Sequence, residues 1–203
     1  MIKVYWSPVI NVQDNQEFVS ELKYYEPETI YKDINAKEFF GLGAGMCPAI
    51  VDEAKNTFRA KSPIDFHIKF DYEKQEATSK YDIDVNFLMN YIGGPNEEHV
   101  HQLDHPCFLF FADKPLTMTQ LHPYYEETQF SSVTMGIAGT YNIASWIRPV
   151  RPAFKFKAGE DEIDIAKGET LCYFKFNTTE NAMLRLQKLK SKTIFTYTVT
   201  RML

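Results

Sequence analysis

Three of the chain's five histidines, His99, His101 and His105, fall within seven positions of the stretch YIGGPNEEHVHQLDHP (91 to 106), beside Glu97, Glu98 and Asp104. His99 and His101 are two apart, so on an extended strand both imidazoles project from one face. Imidazole with carboxylate is a donor set for zinc, iron, nickel or manganese, and three ligands with an open position permit Lewis-acid or oxygen chemistry. A further histidine, His122, enters through a predicted hairpin, in which CFLFFA (107 to 112) and LTMTQL (116 to 121) flank Asp113-Lys114-Pro115. A turn centred on Lys114 sets Pro106 opposite His122 and brings His105 and His122 together at the open end. The candidate ligands of a divalent transition metal are therefore His99, His101, His105 and His122, with Asp104 orienting one of them. The plainer reading of the stretch is a solvated loop, because Gly-Gly-Pro-Asn breaks regular structure and His, Glu, Gln and Asp are stable in water. A pH-responsive or interfacial histidine cluster is a third. His67, alone on a polar strand face, reads as a surface position.

Two other groups of residues have chemical potential. Arg148 and Arg151 stand three apart between prolines in WIRPVRPAF (146 to 154). At the three-residue pitch of polyproline II both guanidinium groups lie on one side and could grip a carboxylate or phosphate, while an edge segment pairing with surface acids is the plainer account of them. Tyr124, Tyr125 and Trp146 are contact candidates, since tyrosine, tryptophan and arginine concentrate in binding hot spots. A serine nucleophile elbow, a phosphate-binding loop, a dinucleotide fingerprint and a Cys-x-x-Cys pair are all missing from the sequence.

The elements that must position these residues are mostly strands. Sixteen Phe, 12 Tyr and 2 Trp in 203 residues favour pleated, half-buried surfaces. Residues 2 to 6 make a short strand ended by Ser7-Pro8, and 64 to 70 alternate Ile, Phe, Ile, Phe with charged or polar residues at period two. Further strands are predicted near 132 to 138, 141 to 148, 153 to 157, 161 to 165, 170 to 176 and 193 to 201. Pro48 at a first helical position, with Ile50, Ala54 and Phe58 on one stripe, predicts a helix over 48 to 58. Asn177 with Glu180 three positions on predicts a second helix running through Lys190. Many short strands at close spacing with one or two short helices point to an all-β or β-dominated fold, an antiparallel sandwich, jelly roll or open barrel, in a single domain over 1 to 203.

Composition excludes several classes. With 22 basic against 27 acidic residues and no long block of either sign, there is no electrostatic footprint for duplex nucleic acid. No run approaches the ~18 apolar residues of a membrane span, and MIKVYWSPVI has no signal-peptide character, so a cytoplasmic protein is expected. Cys47, Cys107 and Cys172 are odd in number and far apart, as free thiols are, with Cys107 and Cys172 inside apolar runs.

Some stretches resemble known families. Gly93, five residues, then His99-Val100-His101 resembles the opening of the first cupin motif, which implies a cupin-like barrel holding a metal. The family's glutamate is replaced here by His105 or Pro106, and its second motif has no counterpart. IDIAKGETLCYFKF (163 to 176) is faintly similar to the closing strands of the dUTPase and dCTP-deaminase fold, without a matching substrate signature. Over residues 1 to 176, the order CPA…SPIDF, a Phe-rich hairpin, a proline-and-tyrosine loop, IASWIRPVRPAFKF and CYFKF resembles a domain of unknown function of bacteria and tailed phages. That resemblance implies phage-type origin, with the host cytoplasm as the location, and transfers no activity.

The expectation is a binding or interaction module with a protein or small-molecule partner, homo-oligomerisation being open to it. The competing readings are a cupin-like metal-dependent oxygenase or isomerase and a nucleotide-binding β-barrel using Arg148 or Arg151.

Overall fold

The computed structural model describes residues 1–8, 26–35, 47–74, 76–82, 89–92, 100–103, 107–145 and 148–186. Sixteen strands and three short helices occur among them, so the fold is β-dominated as expected. His99, Asp104, His105 and Trp146, and the strand predicted at 193 to 201, lie outside the described residues.

The first sheet has the order β12 (Pro149–Val150), β8 (Phe108–Ala112), β1 (Ile2–Pro8), β16 (Ala182–Leu186). Ile2, Val4 and Trp6 of β1 alternate inward and are buried, while Tyr5 on the other face stacks on Phe111 with ring centroids 5.1 Å apart. The second sheet runs β11 (Gly139–Asn142), β9 (Thr117–Leu121), β15 (Thr170–Phe176), β3 (Thr57–Lys61), β2 (Glu28–Thr29). The two sheets meet through rings: Phe108 and Phe110 of β8 lie edge-on to Phe174 of β15 at 5.2 and 4.8 Å, and Phe110 to Phe176 at 5.7 Å. Such edge-to-face pairs add to the burial of large apolar area, and they fix the spacing of a sandwich core.

A third sheet, β10 (Thr134–Gly136), β13 (Ala153–Phe156), β7 (Val100–Leu103), β6 (Met89–Ile92), and a fourth, β14 (Glu162–Ile165), β4 (Phe66–Asp71), β5 (Glu76–Thr78), join the same apolar cluster. All pairs are antiparallel except β1 with β16. Among the described residues no sheet closes on itself, so the layers are those of a sandwich and the cupin-like barrel is not formed there. No helix among them is long and apolar enough to cross a membrane.

Four local expectations are corrected. The predicted hairpin is not one: β8 pairs with β1 and β12, and β9 with β11 and β15. Asp113-Lys114-Pro115 instead carries the chain from one sheet to the next, held by Ala112 N–H to Ile143 O (3.2 Å) and Ile143 N–H to Leu116 O (3.1 Å). The predicted helix 48 to 58 stops early. The helix α2 (Pro48–Ala54) gives way at Asn56, whose φ of 62° lies in the left-handed region, and Thr57 begins β3. The helix predicted from 177 is strand β16, because pairing with β1 from Ile2↔Ala182 to Trp6↔Leu186 outweighs intrinsic propensity. Lastly, the strand predicted at 132 to 138 begins as the helix α3 (Gln129–Val133). Its reciprocal capping box joins Ser131 N–H to Thr128 Oγ1 (2.9 Å) and Thr128 N–H to Ser131 Oγ (2.8 Å).

Candidate functional site: a tyrosine-walled cleft

The outer face of the second sheet carries its own small core. Tyr173 on β15 stands between Arg59 of β3 and Leu121 of β9 in register. With Ile30 and with Ala54 of α2 it forms a buried cluster, joined by Tyr31 of α1 (Tyr31–Asn35), Ile50, Leu121 and Tyr125. A phenol buried this way needs a partner for its hydroxyl, and the loop 122 to 127 supplies one. Tyr173 Oη donates to Glu126 Oε1 at 3.1 Å, Thr170 Oγ1 donates to Glu126 Oε2 at 2.7 Å, and Arg59 Nη1 lies 3.2 Å from Oε1. Arg59 Nη2 also pairs with Asp33 of α1. One carboxylate thus fastens the loop to β3 and β15.

The fastening sets the neighbouring side chains. Tyr124 and Tyr125 have ring centroids 4.4 Å apart, and Tyr124 meets the Tyr173 ring edge-on at 5.4 Å. Tyr124 Oη donates to Glu53 Oε1 at 3.3 Å, and Glu53 is ion-paired to Lys175. Burial first, then the neighbouring Tyr125 and Glu53, pushes the Tyr124 phenol far above its ordinary range. Burial and Glu126 do the same to Tyr173, and burial raises Tyr125. All three act as neutral phenols.

Beside this loop opens a cleft of about 500 Å³, walled by residues 122 to 127 on one side and by Ser131, Ser132, Thr134, Met135, Gly136 and Lys157 on the other. His122 ties the walls together. Its Nδ1 accepts the backbone N–H of Gly136 at 2.9 Å, so the ring proton resides on Nε2. Burial, then the Lys157 charge, holds the imidazole below its ordinary pKa, against a hydrogen bond with the Ser131 backbone. Lys157 Nζ donates to the carbonyls of Ser131 and Ser132 at 2.8 Å each. On the β13 side of β10, Lys157 N–H reaches Val133 O and Ile137 N–H reaches Ala153 O. The Gly136 N–H therefore faces the sheet's open edge, and His122 covers it.

The predicted site residues are distributed unevenly. Tyr124 and Tyr125 are brought together at the cleft. His101 is 0 % exposed, enclosed by the rings of Phe70 (4.8 Å), Tyr72 (6.2 Å), Phe154 (5.4 Å) and Phe156 (5.1 Å). From His101 the ring contacts run through Phe154 and Phe130 before reaching His122. Among the described residues no three His, Cys, Asp or Glu side chains are grouped to hold a metal ion. Pro149 and Val150, between Arg148 and Arg151, are strand paired to Leu109 and Phe108 rather than polyproline II. On extended backbone, residues an odd number apart project to opposite faces, so the one-sided grip is lost. Neither arginine is without a partner.

His67 is a correction. It is 6 % exposed, with Nε2 2.7 Å from Glu162 Oε1 and Nδ1 accepting the Lys80 N–H at 3.1 Å, so it ties the segment after β5 to β14 and β4. The thiols agree with expectation: all three are free, Cys47 exposed, Cys107 and Cys172 buried. Burial alone pushes Cys172 far above the ordinary thiol range, which removes it as a nucleophile.

Sequence reasoning passed over Glu126, Tyr173, Arg59, Glu53 and Met135. Two signals pointed to some of them: the pair Glu126-Glu127 following an aromatic run, and the Tyr and Lys of CYFKF falling on the face opposite its Phe residues. The molecule is thus a β-dominated sandwich that carries an aromatic-walled cleft at the margin of one sheet. No family model, no curated protein and no solved structure matches the chain.

Proposed function

We propose that the protein is a binding module whose contact surface is the cleft beside Tyr124 and Tyr125. The observation that carries the reading is the exposure of large apolar side chains. Four of them are exposed among the described residues, and two, Tyr124 at 47 % and Met135 at 52 %, line this cleft. The loop bearing Tyr124 is held by Glu126, so the ring is offered to solvent in a fixed setting and little order is left to be lost on binding. Apolar surface with a few convergent polar groups is the usual composition of a recognition cleft.

Differential scanning fluorimetry with panels of short peptides, saccharides and nucleotides tests the reading. Stabilising compounds are expected to lose their effect in Tyr124→Ala and Met135→Ala and to keep it in Tyr81→Ala, an exposed tyrosine elsewhere. Stabilisation untouched by both cleft changes contradicts it. Stabilisation by nucleotides that Arg148→Ala and Arg151→Ala abolish would favour the nucleotide reading, and stoichiometric metal lost from His99→Ala/His101→Ala the metalloenzyme reading.

A further inference from the structure

We infer that the cleft takes a basic side chain, lysine or arginine, of a partner protein; the inference rests on the binding reading above and names its ligand. The cations around the tyrosine loop are already engaged. Arg59 is divided between Asp33 and Glu126 and Lys175 is paired with Glu53, while Lys157, hydrogen-bonded to two neutral carbonyls, keeps its charge on the opposite wall. Glu127 lines the cleft, is exposed, and has no ion pair among the described residues. The charge left without a complement on this wall is therefore negative.

The surrounding surface suits a cation on an aliphatic stem. Tyr124 stays a neutral phenol with nearly half its surface in solvent. The negative face of such a ring attracts an ammonium or guanidinium group. Met135, on the opposite wall, offers an unbranched, polarisable surface for methylenes. The cleft is also polarised along its walls. Lys157 occupies the β10 side, which directs an incoming cation to the Tyr124 and Glu127 side. An anionic ligand would meet Glu126 and Glu127, with the one lysine lining the cleft already held by the Ser131 and Ser132 carbonyls.

The test is fluorescence anisotropy of labelled hexaarginine, hexalysine and hexaglutamate titrated with the full chain at about 0.15 M salt, where diffuse attraction is screened beyond ~8 Å. Hexaarginine and hexalysine are expected to bind at least tenfold more tightly than hexaglutamate. Tyr124→Ala and Glu127→Gln should each weaken hexaarginine roughly two- to fivefold. Tyr124→Phe should keep most of the affinity, and Glu76→Gln, an exposed acid on β5, all of it. Equal weakening by Glu76→Gln, preference for hexaglutamate, or no binding of either basic peptide overturns the inference. A neutral saccharide lost in Tyr124→Ala and indifferent to Glu127→Gln overturns the basic ligand and leaves the binding reading intact. If every probe that binds does so unchanged in Tyr124→Ala and Met135→Ala, both fall.

Discussion

The backbone N–H of Gly136 donates to Nδ1 of His122 at 2.9 Å, and a Cβ on residue 136 would stand 2.7 Å from that nitrogen, 2.9 Å from the His122 Cβ and 3.1 Å from its Cα. The glycine is needed for close approach. The contact covers the open edge of β10 and sets the distance between the cleft's two walls. Gly136→Ala should force the walls apart at a cost of about 1–3 kcal/mol, as overpacking of a tight site does. Urea unfolding reads the loss, and the loss should be absent from Gly159→Ala only if positive φ costs nothing there, since Gly159 meets no atom but sits at φ 85°. In a His122→Ala background, which removes the Nδ1 contact but keeps the Cβ at 2.9 Å and the Cα at 3.1 Å, Gly136→Ala should lose only part of its penalty.

Asn56 is the second position at which one residue fixes distant parts of the chain. Its Nδ2 donates to Thr178 O (3.0 Å) and Glu180 O (2.7 Å), its Oδ1 accepts from Ala182 N–H (2.8 Å), and its backbone is left-handed. Asn56→Ala loses all three bonds and adds the steric cost of a Cβ without the asparagine's local compensation, roughly 2 to 4 kcal/mol together. Asn56→Gly loses the bonds but accepts the backbone, and should cost less than alanine. Denaturant midpoints with unchanged m-values check that order; glycine worse than alanine would contradict it.

Glu126 should separate stability from recognition. Glu126→Ala leaves the Arg59 guanidinium and the Tyr173 and Thr170 hydroxyls short of a partner, in a setting where Arg59 is only 12 % exposed. Breaking such a partly buried pair costs about 2–4 kcal/mol. Tyr124→Ala removes a half-exposed ring and should cost no more than about 1 kcal/mol. Glu126→Ala should therefore weaken both stability and cleft binding, and Tyr124→Ala binding almost alone. Thermal unfolding of the two variants reads the difference.

His122 and Glu162 each give stability a defined pH dependence. The His122 pKa is lowered in the fold, chiefly by burial and then by Lys157. The unfolded chain then takes up a proton at a pH where the folded chain does not, so His122's contribution is complete above the ordinary value of about 6.5 and is lost as pH falls through and below it. Glu162 is depressed by its bond to His67 and by Lys69. Its contribution is present above the ordinary glutamate range and disappears as pH falls through the folded value. Stability measured from roughly pH 8 down to pH 3 should fall in two stages. His122→Asn should flatten the upper stage and Glu162→Gln should shrink the lower, to which Asp71 and Glu180, likewise lowered, also contribute; an upper stage that survives His122→Asn, or a lower stage unchanged by Glu162→Gln, contradicts the assignment.

What the sequence made legible follows from how local each cause is. The period-two runs of β1, β4 and β15 reflect a buried face and could be read directly, as could the burial of Cys107 and Cys172. The arch after β8 could not be told from a hairpin. Asp113-Lys114-Pro115 is short enough for either, and the choice is made by β1, β12, β11 and β15, which occupy the edges that a hairpin would pair. Because the metal geometry borrowed His122 through that hairpin, the meeting of His105 with His122 lost its support with it. The fate of 182 to 186 was likewise decided by a partner far away in the chain, β1, against a helix-favouring composition. At the site, Tyr124 and Tyr125 were legible as contact aromatics following a proline. Glu126 and Tyr173 were not, since their meaning lies in a contact across 47 residues.

The central claim, that recognition takes place in the Tyr124 cleft, is tested most directly by titrating ¹⁵N-labelled protein with hexaarginine and following every backbone amide. The account predicts that the shifts concentrate on residues 124 to 127 and 131 to 136, with Gly136 among them because its N–H is held by His122. Shifts gathered instead on the β4 and β14 face around His67, or spread evenly over the surface, would contradict it.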